Sequence, residues 1–404
     1  MVEASKRPLT IGLLAGEASG DNLGAGLMQA LKARLHDRAV TFVGVGGPGM
    51  QAQGLEPLAD FSMLSINGFK EPVLRLPQLY RLYRSLANTM IARQVDVFVG
   101  IDFNVFNLLL EGRLKRAGIP TAHYVSPSVY AWRRGRTRKI ARCADKILCL
   151  FPFEPEFYRG LAVQAHFVGH PLAAEIAPAT ADAHARAQAK QDLGLADQAV
   201  TLALLPGSRG SEVELMLPSM LAAAQGMASQ LRAQGKDLQV VIPCLNPARA
   251  AQIQELAAKV QDLDLCYALG NARVPLIACD LALVKSGTST LEAMLLGKPM
   301  VVTYRLNRLS YWIARLLVST KHVAIPNILA GRMLVPEFLQ DAATPQALCE
   351  ALMEQWSDNV AQQNIQTVYG DIHRQLAAGD SGEGASMGAA RAVLELVPAA
   401  QSAQ

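Results

Sequence analysis

Short apolar runs recur along this chain at intervals that a helix can fill. In the first half they are Thr10–Leu14, Thr41–Val45, Val95–Gly100, Thr121–Val125, Lys146–Leu150 and Ala165–Val168. In the second half they are Val200–Leu205, Gln239–Pro243, Leu263–Ala268, Leu281–Val284 and Met300–Thr303. Their length and β-rich composition predict buried strands. Helical patterns fill most of the gaps, as in Leu23–Leu35 and Phe106–Arg116. Strands alternating with helices predict right-handed βαβ units and parallel sheets covered on both faces.

The expected fold class is therefore α/β, with two Rossmann-like parallel-sheet domains facing across a cleft. The pattern places the first domain at 1–170 and an Ala-rich, polar linker at 171–197. A second domain follows at 198–345, and C-terminal helices at 346–404 are interrupted by a Gly/Ser break at Gly379–Gly384. Ligands of such sheets bind at the carboxyl ends of the strands, so the cleft is the expected site.

Composition sharpens this outline. A length of 404 residues exceeds one comfortable core and suits two. Only 18% of residues are charged against 51% hydrophobic, so apolar surface must be hidden in a large core, a subunit interface or a lipid-facing patch. A homodimer is left open. The six cysteines lie mostly in apolar runs without a C-x-x-C pair, which reads as core packing in a reducing compartment. No signal-like stretch opens the chain, and the longest apolar run, Val97–Leu110, is broken by Asp102 and Asn104. The expectation is a cytoplasmic chain that does not span a membrane but is able to lie on one.

Two strand-to-helix turns carry the clearest chemistry. Leu205-Pro206-Gly207-Ser208-Arg209 and Ser286-Gly287-Thr288-Ser289 each follow a buried strand and open a helix. Helix amino ends leave backbone N–H groups unpaired and attract phosphates, and an arginine can fork onto phosphate oxygens. Glu292, one helical turn further, is placed to accept hydrogen bonds from a ribose diol. The pair reads as a nucleoside-diphosphate site; two helices with ordinary Ser/Thr caps is the competing reading.

These turns, with Ala15-Gly16-Glu17-Ala18-Ser19-Gly20-Asp21, Gly100-Ile101-Asp102, Tyr124–Arg133, Phe167-Val168-Gly169-His170-Pro171 and Ile325–Arg332, resemble the lipid-A-disaccharide synthases from about Leu9 to about Leu339. The resemblance implies a GT-B type fold and an inverting transfer. In that reaction a diacylglucosamine moves from UDP to diacylglucosamine 1-phosphate, without a cofactor or metal, at the cytoplasmic face of the inner membrane. It also implies that Asn327 belongs to the donor site, and that Glu17, Ser19, Asp21, Ser126, Trp132 and Arg133 lie on the acceptor side. In one departure, Val105 stands where family members carry a second aspartate. Two alternatives stay open: another UDP-sugar enzyme of the same fold, and a catalytically inactive nucleotide- or lipid-binding relative.

Inverting transfer needs a base for the acceptor hydroxyl, and Asp102, at the end of a strand, is the candidate. Its competing role is an N-cap for the helix that follows. The motif Gly44-Val45-Gly46-Gly47-Pro48-Gly49 fits a dinucleotide fingerprint, but no acid follows a strand about twenty residues on, so a tight turn is the better reading. His166 and His170 share a helical metal spacing but fall on a strand, and no metal is expected.

Between Leu74 and Ala92, the apolar Leu76, Leu79, Tyr80 and Tyr83 sit among Arg81 and Arg84, as in a helix lying on an anionic bilayer. An ordinary core-facing helix is the alternative. Arg305–Lys321 is a second such segment. The basic run Arg133–Arg142 comes with no nucleic-acid module, so phosphate of the acceptor or of lipid is its expected partner and nucleic acid is not.

Overall fold

The computed structural model describes residues 8–36, 38–64, 71–127, 135–307 and 321–397. The chain forms two compact units, one made of residues 1–174 with 375–404 and the other of residues 175–374.

Among the described residues, the first unit carries seven parallel strands: β1 (Leu9–Ala15), β2 (Val40–Val45), β3 (Leu55–Pro57), β4 (Val97–Ile101), β5 (Thr121–Tyr124), β6 (Lys146–Cys149) and β7 (Gln164–Phe167). Their order is β3-β2-β1-β4-β5-β6-β7. Both faces are covered, and the two-residue period of a strand decides which side chain goes where. Leu9, Ile11, Leu13 and Ala15 of β1 join Val97, Val99 and Ile101 of β4 beneath the helices Ala18–Arg34 and Ala385–Leu394. Leu14 and Phe98 point the other way, against the helices Glu71–Ala92 and Asn104–Arg116.

The second unit carries β8 (Val200–Leu205), β9 (Leu238–Cys244), β10 (Asp264–Leu269), β11 (Leu281–Lys285), β12 (Met300–Tyr304) and β13 (Glu337–Leu339), again all parallel. The order is β10-β9-β8-β11-β12-β13. Its core packs Val213, Met216, Leu217, Met220 and Leu221 of the helix Gly210–Ala233 on Leu202, Leu204 and Leu283.

Two boundaries differ from the sequence expectation. Most of the segment read as a linker belongs to the second unit, beginning at Glu175. Lys190, 2% exposed on the helix Ala183–Asp192, donates to the carbonyls of Ala196, Asp197 and Ala199 and so ties that stretch down. The C-terminal helices do not act as one group. Pro345–Ser357 packs on the second unit, whereas Ala385–Leu394 buries Ala389, Ala390 and Val393 against Leu27 and Leu31 of the first.

Candidate active site

In each unit the order of the described strands reverses at one point, and candidate site residues lie at the strand ends beside it. β1 has β2 on one side and β4 on the other, so the ends of β1 and β4 flank the first reversal. Such switch points open crevices at the carboxyl ends of parallel strands.

Asp102 follows β4 in an unusual backbone. It and Phe103 both adopt left-handed conformations, with φ of 49° and 46°. Non-glycine residues there carry strain that persists only where surroundings over-determine it. Here the Asp102 amide donates to Tyr124 O at 2.8 Å, and the fully buried Asn107 donates from Nδ2 to Asp102 O at 2.8 Å. The Phe103 ring lies flat over Gly16, where a Cβ would come within 2.5 Å of it. Val125, at the end of the adjacent β5, has φ 80°, so three strained residues cluster at two neighbouring strand ends. The helix Asn104–Arg116 is capped by Phe103 without a side-chain bond, so Asp102 is not its N-cap. Val105 is 71% exposed.

Three residues that the sequence reading did not single out stand behind Asp102. Asn104 Nδ2 lies 3.4 Å from Asp102 Oδ1, His123 Nε2 lies 3.0 Å from Asn104 Oδ1, and Glu111 Oε1 lies 2.7 Å from His123 Nδ1. His123 and Glu111 are fully buried. A sequence signal existed: Glu111 shares the core-facing stripe of its helix with Asn107 and Leu114, where an acid is out of place.

The acceptor-side set divides. Glu17 and Ser19 are exposed at the amino end of the helix Ala18–Arg34. Asp21 is 5% exposed and accepts the amides of Gly49 at 2.8 Å and Met50 at 2.9 Å. Its carboxylate thus fills the amino end of the short helix Pro48–Ala52, which makes the Gly44–Gly49 segment a braced turn. Ser126 is buried as well, its hydroxyl 2.9 Å from that of Tyr158. It therefore ties the end of β5 to Tyr158. Trp132 and Arg133 lie outside the described residues.

In the second unit β8 lies between β9 and β11, so the two phosphate-type turns flank the reversal there. Gly207 has φ 122°, and a Cβ at that position would sit 2.5 Å from Glu212 Oε2. The amides of Ser208 and Arg209 are not idle: Glu212 Oε2 accepts both, at 3.2 and 3.4 Å. Glu212 Oε1 takes Lys285 Nζ at 3.0 Å. Burial acts to raise the Glu212 carboxyl, but Lys285 and the Arg209 amide outweigh it and hold the group below its ordinary range. The Arg209 side chain is 80% exposed. Lys285, ending β11 with its ammonium 5.2 Å from the centre of the Tyr304 ring, is a further cation missed from sequence.

At the second turn Gly287 has φ 155° and opens the helix Thr288–Leu295. Thr288 is exposed and Ser289 half-buried. Ser286 is already engaged, its amide on Thr303 O and its hydroxyl on Val323 O. Glu292 Oε1 stands 3.4 Å from Arg273 Nε. Asn327 lies in the interior of the second unit. It is 0% exposed, donates from Nδ2 to Val335 O and Glu337 Oε1, and accepts from the Leu334 and Val335 amides. Both hydrogens and both lone pairs of this amide are thus engaged within the protein.

The helix Glu71–Ala92 is mixed in character. Leu82 and Leu86 are buried, Leu79 and Tyr83 are half-buried, and Leu76 and Tyr80 are 58% and 60% exposed beside exposed Arg81 and Arg84. The Arg113 guanidinium sits 5.6 Å above Tyr83. Among the described residues no helix is long and apolar enough to cross a membrane. Most of the second lipid-facing candidate, 308–320, lies outside the described residues.

The family described as lipid-A-disaccharide synthetase matches residues 11–386. The chain belongs to that family. A lipid-A-disaccharide synthase of Pseudomonas aeruginosa is 46% identical over 389 residues, covering 96% of this chain and 98% of its own. One of Erwinia tasmaniensis is 44% identical over 392 residues, covering 97% and 99%. Among solved structures, MurG of Acinetobacter baumannii has a TM-score of 0.54 at 12% identity, covering 96% of this chain and all of that one. The glycotransferase of kitacinnamycin has a TM-score of 0.61 at 16% identity, with 97% of this chain covered. These two likenesses carry the fold, which is GT-B. As a lipid-A-disaccharide synthase the chain is a glycosyltransferase of lipid A biosynthesis.

Proposed function

We propose that this chain transfers the sugar of UDP-2,3-diacylglucosamine to the 6-hydroxyl of 2,3-diacylglucosamine 1-phosphate. Asp102 takes the hydroxyl proton as O6 attacks the anomeric carbon from the face opposite the nucleotide. The bond from that carbon to the diphosphate oxygen breaks, and its electron pair leaves with UDP. The product is the β(1→6)-linked disaccharide 1-phosphate.

The observation that carries this reading is a carboxylate held in a strained left-handed turn beside a strand-order reversal and not spent on capping. Strain of this kind concentrates where geometry is functional. On the second unit, the exposed Arg209 and the turns at Gly207–Arg209 and Ser286–Ser289 hold the leaving diphosphate, and Lys285 offsets its charge. The diphosphate displaces the Glu212 carboxylate from the Ser208 and Arg209 amides. Leu76 and Tyr80, flanked by Arg81 and Arg84, rest on an anionic bilayer at the cytoplasmic face and bring the enzyme to its acylated substrates.

The test is Asp102→Asn, assayed by UDP release with both diacylated substrates and by calorimetric titration with UDP. Turnover should fall by about 10³-fold or more with UDP affinity unchanged. Retained turnover overturns the assignment.

A further inference from the structure

Proton removal from the acceptor needs only Asp102, yet three polar side chains behind it form a continuous chain into the core. Asn104 Nδ2 is 3.4 Å from Asp102 Oδ1, Asn104 Oδ1 is 3.0 Å from His123 Nε2, and His123 Nδ1 is 2.7 Å from Glu111 Oε1. The fold makes room for it: a Cβ on Gly100 would lie 2.1 Å from Glu111 Oε1.

The chain has a fixed direction. The amide oxygen of Asn104 only accepts, so His123 Nε2 must carry a hydrogen. Turning the amide over would set its oxygen against the Asp102 carboxylate, acceptor against acceptor. Nε2–H is therefore present wherever the remaining proton of the His123–Glu111 pair resides. Burial raises the Glu111 carboxyl above its ordinary range, and its Oε2 is buried with no partner, a state a neutral acid tolerates better than a carboxylate. With the proton on Glu111, no net charge sits in this core and each donor points toward Asp102.

We propose that Asn104 is a positioning residue. Its amide, locked by His123 and Glu111, fixes the rotation of the Asp102 carboxylate for attack on the acceptor hydroxyl. The logic is that of a base oriented by a third group, with the amide in the middle. This inference rests on Asp102 being the base.

The test compares Asn104→Asp and Asn104→Ala in the full-length protein. Asp keeps the size of Asn, accepts from His123 Nε2, and suits the first turn of a helix, where acids interact well with the dipole. A purely structural role thus predicts that Asn104→Asp melts at or above the parent temperature and works normally. A positioning role predicts that both variants lose kcat by about 10- to 100-fold, with KM for both substrates and UDP affinity within about two-fold of the parent. The Asp variant should do no better than the Ala variant, because two carboxylates then face each other. Parental kcat in Asn104→Asp overturns the proposal. Asp102→Asn separates the two ideas. If it is inactive while the Asn104 variants keep kcat, only the positioning role fails. If it turns over normally, the base assignment fails and the proposal with it.

Discussion

Replacing Asn327 tests whether a residue suited by sequence to a ligand is in fact a brace. In Asn327→Ala, the buried N–H and C=O of Val335 lose their partners at 2.8 Å each, and Glu337 loses a donor at 2.6 Å. Leaving a buried backbone group unpaired costs about 1–3 kcal/mol, and a bond to a charged group is worth about 1.5–3 kcal/mol. Allowing for water entry and local relaxation, the loss should be about 4 kcal/mol, at the upper end for single substitutions. For a unit of this size each kcal/mol moves the melting temperature by about 2–4 °C, so a drop of about 8–16 °C is expected. Asn327→Asp should be no milder, since it turns an oxygen toward Val335 O and Glu337 Oε1. Thermal melts read by circular dichroism, paired with UDP titration, decide the matter. A variant that melts within about 2 °C of the parent but binds UDP tenfold more weakly would refute the reasoning and return Asn327 to the ligand.

Three further outcomes are expected. Burial pushes the His170 imidazole down to about 4, and its Nδ1 accepts the Leu172 amide, a role protonation removes. The unfolded chain binds a proton below about 6.5 that the folded chain refuses, so stability is full above that pH and falls by up to about 3 kcal/mol toward pH 4. Burial also lowers His166, so comparing denaturation of the parent and His170→Gln across this window should show the larger loss in the parent, and parallel curves would discount it. Gly16→Ala drives a methyl into the Phe103 ring and so disturbs the turn holding Asp102. It should lower kcat at least tenfold with about 1–3 kcal/mol of destabilisation and unchanged UDP affinity, and normal kcat would argue against that coupling. Leu76→Ser with Tyr80→Ser should reduce co-sedimentation with anionic vesicles, and undiminished binding would move the lipid contact elsewhere.

The strands were legible where burial on both faces makes the sequence uniformly apolar. β8 was read at its observed limits, and ten others to within a few residues. β3 and β13 were missed because each is three residues long, carries a glutamate, and borders the sheet on one side only. Turn chemistry was legible through glycine and proline, but the occupancy of each turn was not. Asp21 fills the amides after β2, and Glu212 those after β8, through bonds spanning different lengths of chain. A polar residue near a motif reads the same whether it faces ligand or loop; only the fold assigned Asn327 and Ser126 to the interior. Of the Glu111–His123 pair, Glu111 was legible as an acid on the core-facing stripe of its helix, but its pairing with His123 depends on how β5 lies beside that helix, which the sequence does not show.

One consequence follows from the last helix, Ala385–Leu394, whose Ala389, Ala390 and Val393 complete the hydrophobic layer over β1 and β4. During synthesis the sheet of the first unit emerges before residues 385–394 and lacks this cover until they have left the ribosome. The middle of the chain, residues 175–374, holds its own core and is free to fold ahead of it. A nascent chain stopped short of residue 385 would therefore carry a finished second unit behind a first one still exposing Leu27 and Leu31, a natural target for chaperones.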